Sequence, residues 1–216
     1  KGLLQYDGAR WKLYPSPNES ILRSVRAIGN RIYSGCYMEF GFWEVNASGI
    51  LEYTSLSENL GVRMRPDEEF WTILELDGNL VFQSLDRIYL YNPGENTIRT
   101  IDSDTEMPKV FGLGDELYFQ RMGRGIFKLE NGAEVLVNNH PDIQSDEVVY
   151  MEDTPDGLRL LTRHRGFFTL KGQTLSPWGE GANALLSEAS VYCARRLEDG
   201  TYMLGTISGG VWHLNA

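Results

Sequence analysis

Apolar residues in this 216-residue chain come in short clusters, parted every few positions by Gly, Asn, Asp or Pro. Only Ala182 to Glu188 reads as a turn or two of helix. Elsewhere the spacing predicts strands and tight turns. One phrase recurs six times: a glycine or turn residue, a hydrophobic pair, a variable residue and another apolar one. The copies are Gly2-Leu3-Leu4-Gln5-Tyr6, Gly41-Phe42-Trp43-Glu44-Val45, Arg87-Ile88-Tyr89-Leu90-Tyr91, Gly125-Ile126-Phe127-Lys128-Leu129, Gly166-Phe167-Phe168-Thr169-Leu170 and Gly210-Val211-Trp212-His213-Leu214. Successive copies start 38 to 46 residues apart. Such a period, built from strand-like units, predicts an all-β protein, a β-propeller of four-stranded antiparallel blades.

The first complete repeat shows the unit. Leu22 to Ile28 is strand A and Arg31 to Cys36 strand B, with Tyr37 to Phe40 a loop before strand C at Gly41 to Val45. Ile50 to Leu56 is strand D. Turns between A and B recur as Asp77-Gly78, Gly114-Asp115, Asp156-Gly157 and Asp199-Gly200, residues that tolerate the positive φ of tight hairpins. Blade boundaries fall near 20–56, 66–102, 108–138 and 145–175, with partial blades at 1–15 and 190–216. The chain reads as a single propeller domain or a piece of one, a partial ring of five to six blades. A closed five-bladed ring, with Arg10 to Tyr14 completing the last repeat, is the alternative, and it leaves Leu3 to Tyr6 without a place. A seven-bladed ring at this period needs about 290 residues. Uncovered blade faces are therefore expected to be covered by further blades of the same protein or by a second copy.

Charge narrows the partners. The net charge is −10 and the isoelectric point near 4.8, which argues against nucleic acid, whose binding rests on Lys and Arg density. No apolar run is long enough to insert into a bilayer. Cys36 and Cys193 match no metal or redox spacing and read as packed thiols. His140, His164 and His213 are scattered, no nucleophile elbow is present, and the acids sit mostly in turns. The chain is therefore expected to be non-catalytic, with no metal and no cofactor.

The segment Gly2-Leu3-Leu4-Gln5-Tyr6-Asp7-Gly8-Ala9-Arg10-Trp11 resembles the signature of two-component regulator propeller repeats. Arg23-Ser24-Val25, Ile32-Tyr33-Ser34-Gly35, Glu39-Phe40-Gly41-Phe42-Trp43, Asp67-Glu68-Glu69-Phe70-Trp71 and Phe82-Gln83-Ser84 are similar to one branch of that family. In that branch the propeller serves a membrane-anchored bacterial sensor-regulator, often with a triple-tyrosine domain and a histidine kinase or LuxR-type output. Two departures stand out. Arg87 replaces the strand-C glycine, and the strand-B tryptophan is replaced by Tyr33, Val81, Tyr118, Leu160 and Met203. The resemblance implies a periplasmic ligand-sensing module; a protein-interaction scaffold is the alternative, and a polysaccharide-active enzyme ranks below both.

Candidate binding residues lie in the B–C loops, where five of fifteen arginines fall. Arg87, Arg121, Arg124, Arg163, His164 and Arg165 belong to these loops or border them, with Tyr37 and Glu39 in the first. The D–A connection adds Arg63, Arg65 and the aromatic Trp71. Arginine forks match carboxylate or sulfate groups, so the expected ligand is an anionic oligosaccharide or another small ligand. A competing reading pairs these arginines with acids that stiffen the ring.

Overall fold

The computed structural model describes residues 1–215. The fold is a β-propeller in two compact units, Lys1–Asp104 and Thr105–Ala216. The first unit opens with a hairpin, β1 (Gly2–Tyr6) and β2 (Trp11–Pro15). A four-stranded blade follows: β3 (Ser24–Ile28), β4 (Arg31–Cys36), β5 (Glu39–Val45) and β6 (Leu51–Ser55). Helix α1 (Leu56–Asn59) leads to a second blade, β7 (Thr72–Leu76), β8 (Asn79–Gln83), β9 (Arg87–Asn92) and β10 (Thr97–Asp102).

The second unit begins with β11 (Val110–Leu113), β12 (Glu116–Arg121), β13 (Gly125–Glu130) and β14 (Ala133–Asn138). After α2 (Pro141–Ser145) come β15 (Val148–Thr154), β16 (Gly157–Thr162), β17 (Gly166–Lys171) and β18 (Thr174–Pro177). Helix α3 (Glu180–Ala189) precedes a three-stranded sheet, β19 (Val191–Arg196), β20 (Tyr202–Thr206) and β21 (Val211–Leu214). Every strand pairs antiparallel with its chain neighbour, the meander that two-residue turns impose. The six recurring phrases lie on β1, β5, β9, β13, β17 and β21.

Several boundaries differ from the sequence reading. Glu39 and Phe40 belong to strand β5, not to a loop, because Phe40 is fully buried and stacks on Phe82 at 4.5 Å. Strand A of that blade starts at Ser24 and strand D ends at Ser55. Ser55 instead caps α1, its side chain accepting from the Glu58 N–H. All five residues of β2 pair with β1, which gives Leu3 to Tyr6 a place. The thiols differ from each other: Cys36 is buried, whereas Cys193 is exposed on β19, so only the first is packed, and both are free. No helix among the described residues is long and apolar enough to cross a membrane.

Each unit has its own core. In the first, Tyr33, Phe40, Phe70, Phe82 and Tyr89 pack between the two full blades. The second holds two clusters, one around Ile126, Ile143, Leu160 and Phe168 and the other around Phe167, Leu186, Tyr202 and Leu204. Each fully buried aromatic contributes about 2–3 kcal/mol.

Phenols inside these cores end on carboxylates. Tyr89 donates to Glu68 at 2.6 Å, Tyr118 to Glu116 at 2.6 Å and Tyr150 to Glu152 at 3.0 Å; Tyr202 also donates to Glu152. Burial, reinforced by these acids, raises all four pKa values, that of Tyr202 to about 12. The unfolded phenol titrates near 10.0. The stabilisation is therefore complete below that pH and is lost as pH rises through the folded values. In a phenolate absorbance titration these four of the eleven tyrosines should remain protonated well above pH 10 in the folded protein. In denaturant all eleven should titrate together; a single folded-state transition near pH 10 would contradict the assignment.

Candidate functional site

In the second unit, loops from four connections border a cavity of about 230 Å³ lined by Glu106, Met122, Asp146, Glu147, Arg163 and His164. Gln120, buried near the end of β12, holds the backbone beside it. Its Nε2 donates to the carbonyls of Ile143 (2.6 Å) and Asp146 (2.8 Å), and its Oε1 accepts from Val148 N–H (2.8 Å). The connection from α2 to β15 is thereby held to the neighbouring blade, and with it Asp146 and Glu147.

The turn from β16 to β17 supplies the opposite wall. Arg163 N–H donates to the Glu147 carbonyl at 2.8 Å, and the Arg163 carbonyl accepts from Val191 N–H at 2.9 Å. Its guanidinium meets the Glu147 carboxylate at 2.6 Å, while its Nε is buried without a hydrogen-bond partner. The next residue, His164, donates its backbone N–H to Asp146 Oδ2 at 2.8 Å, and its Nδ1 lies 2.9 Å from Asp146 Oδ1. The Asp146 side chain is only 5 % exposed. A buried carboxylate on Nδ1 orients the ring and leaves Nε2 for another partner.

Glu147 has a raised pKa because it is buried, against the pull of Arg163 and Lys109. Burial lowers the pKa of Lys109, whose Nζ donates to the Tyr192 carbonyl at 2.6 Å. Three carboxylates thus face one guanidinium around the cavity, a balance that disfavours a polyanion and suits hydroxyl donors.

Two other candidate arginines of this unit are ion-paired. Arg121 reaches Glu134 at 2.6 Å, and Arg165 reaches Asp142 at 2.8 Å. Arg124 is exposed, and its backbone N–H donates to the Arg121 carbonyl.

In the first unit the candidates divide among separate places. Arg65 and Arg87 converge on Asp102, at 3.2 Å and 2.6 Å, and Arg65 also lies 3.8 Å from Asp86. Arg63 is exposed, and its carbonyl accepts from Arg87 Nη1 at 2.7 Å. Below them Glu68, with a fully buried side chain, accepts from Tyr89, from Ser84 Oγ (2.8 Å) and from Arg65 N–H (3.0 Å).

Tyr37 donates to Asp67 at 2.7 Å, and that bond raises its pKa. Trp71 lies under the Arg23 guanidinium, 4.7 Å from the ring centroid, with Arg23 also paired to Glu69 at 2.9 Å. Glu39 accepts from Tyr53 and Ser55 Oγ, and it borders a different groove. Arg65, Arg87, Arg121, Arg163 and Arg165 all have a carboxylate partner. The expected run of free positive charge is therefore neutralised at these five positions.

Sequence reasoning named Arg163 and His164, which share one cavity, but missed Glu106, Asp146, Glu147 and Gln120. The repeated Phe-Gln pair ending strand B, Phe82-Gln83 and Phe119-Gln120, was the available signal for the last of these. Among the described residues, no group of three or more His, Cys, Asp or Glu could hold a metal ion.

No protein-family model matches the chain, and no curated protein matches it. Solved structures do. The extracellular domain of BT4673 from B. thetaiotaomicron, described in one structure as part of a hybrid two-component system and in another as a one-component system, covers the whole chain. Sequence identity is 16 % in both, with TM-scores of 0.68 and 0.70. This chain spans 29 % of those chains. The computationally designed Ika8 protein matches 92 % of this chain at 11 % identity and a TM-score of 0.64, over 59 % of its own length. At these identities the likeness is one of fold.

Proposed function

We propose that this chain is a non-catalytic, ligand-sensing propeller module on the extracytoplasmic, periplasmic side of a bacterial two-component or one-component transmembrane regulator. The observation that carries the reading is the loop cavity of the second unit. There an oriented His164, the Arg163–Glu147 pair and Glu106 offer polar groups at a concave site. The fold likeness to the BT4673 extracellular domain supports the same class.

The ligand is an oligosaccharide. The carboxylates accept from sugar hydroxyls, and the arginine contributes to any acidic group the sugar carries. Binding changes the module's assembly with a second copy or with further blades of the same protein, and the output follows from the difference in affinity between two states.

Thermal-shift titration against neutral, uronic and sulfated oligosaccharides tests this. Hydroxyl-rich sugars should raise the melting temperature. His164→Ala and Arg163→Ala should each weaken that response about tenfold or more, equivalent to about 1.4 kcal/mol. An unchanged response in both variants, or no response to any sugar, would overturn the reading.

A further inference from the structure

The first unit carries a groove of different chemistry, of about 310 Å³, lined by Met38, Glu39, Ser57, Glu58, Val62 and Met64. Its walls are fixed by the backbone. Met38 has φ 53° and donates its N–H to the Glu68 carbonyl at 2.7 Å. Val62 N–H donates to the Ser57 carbonyl and Gly61 N–H to that of Glu58, both at 2.9 Å, which folds the chain leaving α1 back on the helix. Val62 and Met64, both partly buried, pack against the aromatic core. The floor is thus apolar, and two of its side chains are thioethers that adapt to varied shapes.

The flanks are acidic. The Glu39 carboxylate is held in place by Tyr53 at 3.0 Å and Ser55 at 2.9 Å. Glu58 is exposed on the other side, anchored through the Ser55 cap on α1. No Lys or Arg lines the groove, and the chain as a whole carries −10. Charge complementarity therefore selects a cationic partner, and the apolar floor selects one with aliphatic bulk beside the charge.

We propose that this groove docks a polypeptide segment of alternating basic and apolar residues, independently of any sugar site. The apolar side chain would fill the Met38–Val62–Met64 floor while flanking cations meet Glu39 and Glu58.

The test is fluorescence anisotropy with a short labelled peptide of alternating lysine and leucine, against lysine–serine and glutamate–leucine peptides of equal length. Only the lysine–leucine peptide should bind. Glu58→Lys and Met64→Ser should each weaken it about tenfold or more, whereas Glu95→Lys, the same charge change at an exposed turn, should alter it by less than about twofold. Glu58→Lys acts on an exposed side chain, so it reads the site even if Met64→Ser unfolds the unit. Equal losses in Glu58→Lys and Glu95→Lys would mean bulk attraction and overturn the proposal. Equal binding of the lysine–serine peptide, or no binding at all, would do the same.

Discussion

Glu68→Ala should lower the melting temperature of the Lys1–Asp104 unit by roughly 10–20 °C, a loss of about 3–5 kcal/mol. The Glu68 side chain has no solvent exposure, yet it collects three donors: the Tyr89 phenol, the Ser84 hydroxyl and the Arg65 backbone N–H. Arg87 Nη1 stands 4.0 Å away. Removing the carboxylate leaves the Tyr89 phenol and the Arg65 N–H without this acceptor at a buried side chain, so each costs its desolvation. Ser84 Oγ retains the Arg87 carbonyl at 3.4 Å, a longer and poorer bond.

Glu68→Gln separates geometry from charge. It keeps one accepting oxygen but places an N–H₂ where a second donor already points, so about half the loss is expected. The measurement is thermal unfolding followed by aromatic circular dichroism. A fall of under about 3 °C for the alanine variant would show that the three donors find other partners.

Glu68 also marks where sequence reading stops. Local features were legible because they rest on one residue's backbone preference. Asp77 and Asn131 adopt φ 47° and 49°, each before a glycine, at turns that the Asp-Gly and Asn-Gly pairs announce. The six phrases land on six strands for a related reason, since alternation and turn spacing are properties of adjacent residues. The helical stretch at Ala182 to Glu188 fell within α3 for the same reason.

Two short helices, α1 and α2, have no counterpart in the periodicity of the sequence. Their signals, Ser55 three residues before Glu58 and Pro141 after His140, are local, but each helix spans barely one turn. The recurring phrase begins at Gly41 and leaves Phe40 outside the strand it predicts. Its place in the strand is set by Phe70 and Phe82, which lie far along the chain.

The charge pairing was least legible of all. Arg23 meets Glu69 across 46 residues, and Arg65 meets Asp102 across 37. Nothing in a linear sequence says which of 30 acidic residues will face a given arginine. A count of cations in loops therefore overstates the free charge, since Arg65, Arg87, Arg121, Arg163 and Arg165 all face a carboxylate.

Gly125→Ala should destabilise the Thr105–Ala216 unit by about 3 kcal/mol or more, and the same reason holds for the glycines that open the recurring phrase at Gly2 and Gly41. Gly125 has φ +120°, a region closed to L side chains, and an added Cβ would overlap the Asn138 carbonyl oxygen and lie 2.9 Å from the Asn139 Cα. Both obstacles are backbone, so neither can swing aside. Gly41 meets the same obstacle without a positive φ: its Cβ would run into the Thr54 carbonyl of the paired strand β6, with the Tyr53 hydroxyl at 2.6 Å. The first residue of the recurring phrase lies under the outgoing strand in both blades, Gly125 under β14 and Gly41 under β6, and only hydrogen fits there. Arg87 holds this position in the intervening blade, and its side chain reaches Asp102 on β10. The backbone clash belongs to particular copies: at Gly166 the added Cβ would meet the Asn183 side chain, and at Gly210 nothing within 4 Å. Gly172→Ala provides the control, because Gly172 has φ +59° but open space around it. It should cost only the left-handed penalty of about 1–2 kcal/mol. Urea unfolding midpoints of the two variants measure the difference, and equal losses would mean that backbone conformation alone, not the approach of strand D, demands glycine at the head of strand C.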